Sequence, residues 1–112
     1  MIRQDKFDIY CKALDFMEER LFEKLSLNDV AGYCGVSVSG LEKIFQYYGN
    51  DGVMRSFLDM KLEHGAALLR EDCAVSDIAM RLEFSSVAHF SAVFKKKHGI
   101  PPQKYKYAAM AE

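Results

Sequence analysis

The sequence contains no run of about 18 or more apolar residues, so no transmembrane helix is expected. Met1-Ile2-Arg3-Gln4-Asp5 leads straight into an amphipathic pattern, without the apolar region of a signal peptide. Cysteine is scarce: Cys11, Cys34 and Cys73 are odd in number, widely spaced and form no CxxC pair. They read as reduced thiols filling the core of a cytosolic protein, not as disulfides or zinc ligands. Gly49 and Gly52 lack the GxxxxGK context of a phosphate loop, and no GxSxG occurs. His64, His89 and His98 form no HxxxH pair, and no cysteine stands at ligand spacing from them. No enzyme, cofactor or metal site is therefore expected. Acid is absent from Phe84 to Ala111, a segment with five lysines, Lys95, Lys96, Lys97, Lys104 and Lys106. The net charge of -1 thus divides into +5 there and -6 elsewhere. Asp5, Asp8, Asp15, Glu18, Glu19 and Glu23 load the first helix. Such a split is informative about partners even where the sum is not.

What is present reads as helices. The 112 residues suit one domain, and 50% hydrophobic residues suffice for a core. Asp5 to Lys24 is expected to be one long helix, with Phe7, Tyr10, Leu14, Met17 and Leu21 as its apolar stripe. Ile9, Ala13 and Phe16 widen that stripe. Ser26 and Asp29 mark the start of a helix from Leu27 to Cys34, with Val30 and Ala31 inward and Gly35 as a left-handed stop. Ser37 or Ser39 caps the next helix, which carries Leu41 and Phe45 four residues apart. Gly49-Asn50-Asp51-Gly52 is a loop. Val53 to Glu71 is a further helix, its inner stripe Leu58, Leu62, Gly65 and Leu69, with Phe57 and Ala66 beside it.

The second half repeats the first. A short apolar helix, Ile78 to Leu82, meets a turn at Glu83-Phe84-Ser85, and a basic helix follows with Phe90 and Phe94 on one face. Pro101 and Pro102 end one helix, and Pro102 opens the last, in which Tyr105 is half-buried. Val30-Ala31 corresponds to Ile78-Ala79, Gly35-Val36-Ser37 to Glu83-Phe84-Ser85, and Phe45 to Phe94. The offset is 48 residues and becomes 49 within the second helix. Two short helices at a steep angle, the second amphipathic, are the parts of a helix-turn-helix, and here there are two sets.

The pattern Ile78-Ala79, Phe84, Ser86, Phe90, Phe94-Lys95, Gly99, Pro102 and Tyr105 resembles the C-terminal signature of AraC/XylS-type transcription regulators, and the resemblance extends back to about residue 10. It implies an all-α fold of about seven helices: a first helix-turn-helix unit (1–50), a linker helix (53–71) and a second unit (74–112). The linker would hold two recognition helices about one turn of DNA apart, near 34 Å. The implied function is sequence-specific binding of double-stranded DNA in transcription regulation, in the bacterial cytoplasm. RNA polymerase is a further candidate partner, no membrane is involved, and this part alone is expected to be monomeric. The chain corresponds to the DNA-binding part of such regulators, either standing alone or as the C-terminal piece of a longer protein. An AraC-like interaction module with weak DNA binding is the alternative.

With Leu41 and Phe45 inward, Ser39, Glu42, Lys43 and Gln46 share the opposite face of the first recognition helix. These types suit base readout: Lys for guanine, Gln for adenine, Glu for the cytosine amino group. On the second, the exposed set is Val87, Ala88, His89, Ser91, Ala92 and Lys95. Val87, Ala88 and Ala92 suit thymine methyls and His89 a single donor, so this helix positions more than it specifies. Ser37, Ser86, Lys95, Lys96, Lys97 and Lys104 are the expected phosphate contacts. About five neutralised phosphates give a salt slope near -4 to -5. The chain departs from the family at several places. Glu83 stands where Gly is usual, Ala92 where many members have Arg, and Lys61 and Lys106 where Arg is usual. The loop at Asn50 and Asp51 is one residue longer.

Overall fold

The computed structural model describes residues 5–111. Met1 to Gln4, on which the reading of the N-terminus partly rests, and Glu112 lie outside them. The described residues form helices α1 (Lys6–Glu18), α2 (Leu27–Cys34), α3 (Val38–Gly49), α4 (Val53–Arg70), α5 (Val75–Arg81), α6 (Val87–His98) and α7 (Pro102–Met110), with no strand among them. The chain divides into two compact units, residues 1–58 and 59–112. The division falls inside α4, so that its first part belongs to one unit and the remainder to the other. Val53 and Phe57 are buried in the part of α4 that belongs to the first unit, and Leu62, Ala66, Leu68 and Leu69 in the part that belongs to the second.

In the first unit α1, α2 and α3 pack mutually. Asp5 caps α1 by accepting from the Phe7 N–H at 3.0 Å. The helix is shorter than the periodicity predicts, ending at Glu18, with turns through Glu23. Its inner stripe is also rotated. Ile9, Ala13, Phe16, Met17 and Leu21 are buried, whereas Phe7 is 49% exposed and Tyr10 and Leu14 lie at the margin. Met17 and Leu21 of the expected stripe are thus buried, together with all three residues read as its edge. Phe7 and Tyr10 instead meet Tyr48 of α3, at ring separations of 5.3 and 5.5 Å. Arg20 lies over the Phe16 ring at 3.9 Å and donates to the Phe16 carbonyl, covering the end of the core.

α2 begins on a reciprocal cap. The Ser26 hydroxyl accepts from Asp29 N–H at 3.1 Å, and the Asp29 carboxylate accepts from Ser26 N–H at 2.9 Å. Those hydrogen bonds hold the Asp29 carboxyl below its usual pKa. α2 ends at Gly35, φ 70°, after which Val36 N–H reaches back to the Ala31 carbonyl at 3.1 Å. This left-handed closure turns the chain sharply into α3. Ser37, rather than Ser39, caps α3, accepting from Gly40 N–H at 3.0 Å. A Cβ on Gly40 would meet that same Ser37 oxygen at 3.0 Å, so the glycine clears space for the cap. α3 buries Leu41, Ile44 and Phe45. Its Glu42 extends to the start of α4, where a carboxylate oxygen accepts from Val53 N–H at 3.2 Å.

The second unit repeats the device. α5 ends at Leu82, Glu83 adopts φ 62°, and Phe84 N–H bonds to the Ala79 carbonyl at 2.9 Å. The C-terminus of α4 closes likewise through Asp72, φ 66°, with Cys73 N–H to the Leu68 carbonyl at 3.1 Å. Ser86 caps α6, accepting from His89 N–H at 3.0 Å. The repeat thus aligns Gly35 with Glu83 at 48 residues and the caps Ser37 and Ser86 at 49. The extra residue sits in the turn, not within the second helix. Phe90 and Phe94 are fully buried, and Phe90 lies close against Gly65 of α4, where a Cβ would meet its ring at 3.3 Å. Lys61 of α4 is 8% exposed and donates to the Leu82 carbonyl at 2.7 Å, pinning the turn. Burial pushes its pKa down, and the nearby Glu83 charge pushes it back up. Gly99, φ 88°, closes α6, and Pro102 occupies the first turn of α7. Arg70 donates to the Tyr105 hydroxyl, and Lys106 pairs with Asp72 at 3.2 Å and donates to the Cys73 carbonyl at 3.1 Å.

A side chain with a Cβ is strained in the left-handed region, and Glu83 has one. Glu83→Gly is expected to stabilise the fold by about 1 kcal/mol. That corresponds to a melting temperature higher by roughly 4–5 °C in thermal unfolding; an unchanged or lower value contradicts the left-handed turn. Removing the acceptor at Val53, by Glu42→Ala, is expected to cost about 1 kcal/mol in urea unfolding, with Glu42→Gln retaining most of the stability. Equal losses in the two variants would mean that the cap does not form.

Candidate nucleic-acid interface

In each unit the helix that follows the left-handed turn opens on a capping serine, buries one face, and leaves the other to solvent. On α3 the buried face is Leu41, Ile44 and Phe45, and the exposed side carries Ser39, Lys43 and Gln46. Glu42 does not join them in the same way. It is half-buried and its carboxylate is engaged with Val53 N–H, while a Cβ on Gly52 would meet the same carboxylate at 3.3 Å. No local pattern announces this use of Glu42, because the partner lies eleven residues on.

On α6 the buried face is Phe90 and Phe94. Val87, Ala88, His89 and Ala92 are exposed, and Ser91 is half-buried. The His89 ring is oriented from two sides. Its Nδ1 shares a hydrogen bond with the Ser85 hydroxyl at 3.2 Å, and the ring stands edge-on to Phe84 at 5.4 Å. Both contacts lie on the turn side, and the residue as a whole is exposed.

The serines Ser37 and Ser86 accept from the first-turn N–H groups of α3 and α6. A hydroxyl that accepts still has its own hydrogen to donate. The N–H groups of a helix's first turn and the helix dipole favour an anion at such an end. Lys95, Lys96 and Lys104 are exposed, with no ion pair among the described residues. Lys97 differs: its ammonium lies 3.4 Å from Glu63 and 3.7 Å from Asp59, both on α4. It is partly committed before any ligand arrives. Lys106, the fifth lysine of the acid-free segment, is held by Asp72 and the Cys73 carbonyl. The sequence shows a run of three lysines but not that α4 places two acids beside the third.

Among the described residues no group of three or more His, Cys, Asp or Glu side chains could hold a metal ion, and no helix is long and apolar enough to cross a membrane. The three cysteines are free thiols. Cys34 is buried, and burial raises its pKa, with Lys12 opposing.

The profile of a helix-turn-helix domain family matches residues 18–108. The chain is 33% identical over 88 residues to the HTH-type transcriptional regulator GbdR of Pseudomonas aeruginosa, covering 78% of this chain and 24% of that protein. It is 31% identical over 84 residues to the HTH-type transcriptional regulator GlxA of Rhizobium meliloti, covering 74% and 26%. The chain thus spans about a quarter of the length of these curated relatives. Among solved structures, an AraC-type transcriptional regulator from Chromobacterium violaceum superposes with a TM-score of 0.87 at 28% identity, covering 90% of this chain and 91% of that one. The DNA-binding domain of AdpA, solved with a target DNA, shares the fold with a TM-score of 0.84 at 20% identity, covering 90% and 92%. Two capped helix-turn-helix units, a match over residues 18–108 and the likeness to the Chromobacterium protein place this chain in the helix-turn-helix family of AraC-type DNA-binding domains.

Proposed function

We propose that this chain reads double-stranded DNA through the major groove with α3 and α6, and that it regulates transcription in the bacterial cytoplasm. The observation that carries the reading is the repeated device: a left-handed turn, a capping serine, and a helix exposing a short polar or small-residue face over a buried apolar stripe. The AdpA domain, whose structure holds a target DNA, shares the arrangement of helices, which supports it.

α3 carries most of the specificity. Lys43 donates to guanine O6 and N7, Gln46 pairs with adenine N6 and N7, and Ser39 serves either. Glu42 acts on DNA by holding α3 to the start of α4, not by accepting from cytosine. α6 offers Val87, Ala88 and Ala92 to thymine methyls and His89 as one polar contact, so it contributes position more than sequence. Ser37, Ser86 and the helix ends behind them bind phosphates, together with Lys95, Lys96 and Lys104. Lys97 contributes less, because DNA must first compete with Asp59 and Glu63. The domain binds as a monomer and uses no cofactor, and RNA polymerase is a partner through the remaining surface. No catalytic step is assigned to it.

The exposed acids at the start of the first unit, Asp5, Asp8, Asp15, Glu18, Glu19 and Glu23, favour a second reading. In it the chain acts on polymerase or another regulator and binds DNA weakly.

Selection of duplexes from a random pool separates the two. The proposal expects two short enriched boxes, with Lys43→Ala relaxing preference at one position by about 1–3 kcal/mol of discrimination. No enrichment at low salt supports the interaction module instead. Three available lysines predict a slope of log K against log salt near -3, shallower than five phosphates would give. Lys95→Ala and Lys104→Ala are each expected to reduce that slope by about 0.9. Lys97→Ala is expected to reduce it by clearly less, and an equal reduction would show that the pairs with Asp59 and Glu63 open at no cost.

A further inference from the structure

Beside the exposed face of α3 the first unit contains a half-open groove of about 580 Å³, lined by Lys6, Gly40, Lys43, Ile44, Tyr47 and Tyr48. Its volume lies within the range of small-ligand sites. Ile44, 8% exposed, belongs to the core, and Gly40 leaves its part of the lining without a side chain. Tyr47 and Tyr48 meet edge to face, with ring centres 4.8 Å apart and planes at 80°. They form a corner in which a flat ring lies against one face and meets the edge of the other. Tyr48 is itself braced by Tyr10, stacked at 5.5 Å, and by Phe7 at 5.3 Å. Tyr47 is 79% exposed, an unusual state for a large aromatic side chain. Both charged residues of the lining are lysines, and neither has an ion pair among the described residues. Asp5 lies near Tyr48, where it raises that hydroxyl's pKa after burial, but its carboxylate is occupied as the cap of α1.

We infer that this groove binds a small flat aromatic anion, its ring in the Tyr47–Tyr48 corner and its carboxylate between the Lys6 and Lys43 ammonium groups. The two rings select planarity, and the two unpaired cations select negative charge at one end. Apolar lining with a few convergent polar groups is the usual composition of such a site. Lys43 links the groove to α3. An anion that holds Lys43 removes it from base readout, so occupancy weakens binding at the box read by the first unit. That effect rests on Lys43 being a base reader; the binding does not.

The test is therefore made without DNA, by titrating 2-naphthoate into the ¹⁵N-labelled 112-residue chain and following its amide spectrum. The expected result is saturable shifts confined to Lys6, Gly40, Lys43, Ile44, Tyr47, Tyr48 and their neighbours. Uncharged 2-naphthalenemethanol should bind at least about tenfold more weakly, the loss of roughly 1.4 kcal/mol of charge interaction. Tyr47→Ala and Lys43→Met, both at exposed positions, should each raise the dissociation constant severalfold while the dispersed spectrum shows an intact fold. The inference is overturned by the absence of saturable shifts at millimolar 2-naphthoate, by shifts centred elsewhere, or by affinity unchanged in both variants. If the naphthoate binds in this way and duplex selection shows no enriched box, the ligand site stands and the DNA reading fails.

Discussion

The placement of both recognition helices depends on a single residue in each unit that enters the left-handed region. A residue that reverses the sign of φ ends a right-handed helix abruptly and lets the chain set off in a new direction within a few residues. Gly35 does so after α2, and Glu83 after α5, each followed by a hydrogen bond that reaches back five residues. The next helix then begins on a serine whose hydroxyl replaces a missing intrahelical acceptor. From this turn follow the direction of α3 and α6, which of their faces are buried, and which side chains remain for a partner. The strain is absent at Gly35 and present at Glu83, so the two turns are geometrically alike and energetically unequal.

Contacts with α4 steady the second turn and both of the helices that follow the turns. Lys61 crosses to the Leu82 carbonyl at the second turn, and its burial costs enough to depress its pKa. The protein accepts that cost where an apolar side chain would leave a carbonyl at the turn without its donor. Near its start α4 receives Glu42 from α3, and near its middle Asp59 and Glu63 receive Lys97 from α6. Charged residues that a helical wheel assigns to the DNA side thus divide into those facing solvent and those bound to α4. In the proposed reading this division leaves α3, with Lys43 and Gln46, as the specific reader and α6 as a docking surface of small side chains.

The charge asymmetry has the same structural basis. The acids of α1 face solvent in the first unit, and the five lysines of the acid-free segment lie in the second. Lys106 is bound by Asp72 and Lys97 by α4 acids, which lowers the positive charge that is free to meet phosphates. A chain with a net charge of -1 can still bind DNA on this account, but with a weaker dependence on salt than its lysine count implies.

Local chemistry in the sequence was enough to locate most of the helices. The caps at Ser26 and at Ser37 or Ser39, the left-handed stop at Gly35, and Pro102 act within a few residues of themselves, so their effects were legible without a fold. Pairs such as Leu41 with Phe45 and Phe90 with Phe94 were equally readable, because helical periodicity alone puts them on one face. What only the tertiary structure decided were contacts between residues far apart in sequence. The buried stripe of α1 takes in Ile9, Ala13, Phe16 and Met17 where the helix packs with α2 and α3, while Phe7 and Tyr10 turn to Tyr48. Glu42 and Lys97 were assigned by the periodicity or charge of their own helices, and Lys61 was noted only as a departure from the family, yet each has a partner on another element. Periodicity reports which face of a helix is apolar. It carries no information on where a long charged side chain ends, since that depends on the backbone groups and charges that folding brings within its reach.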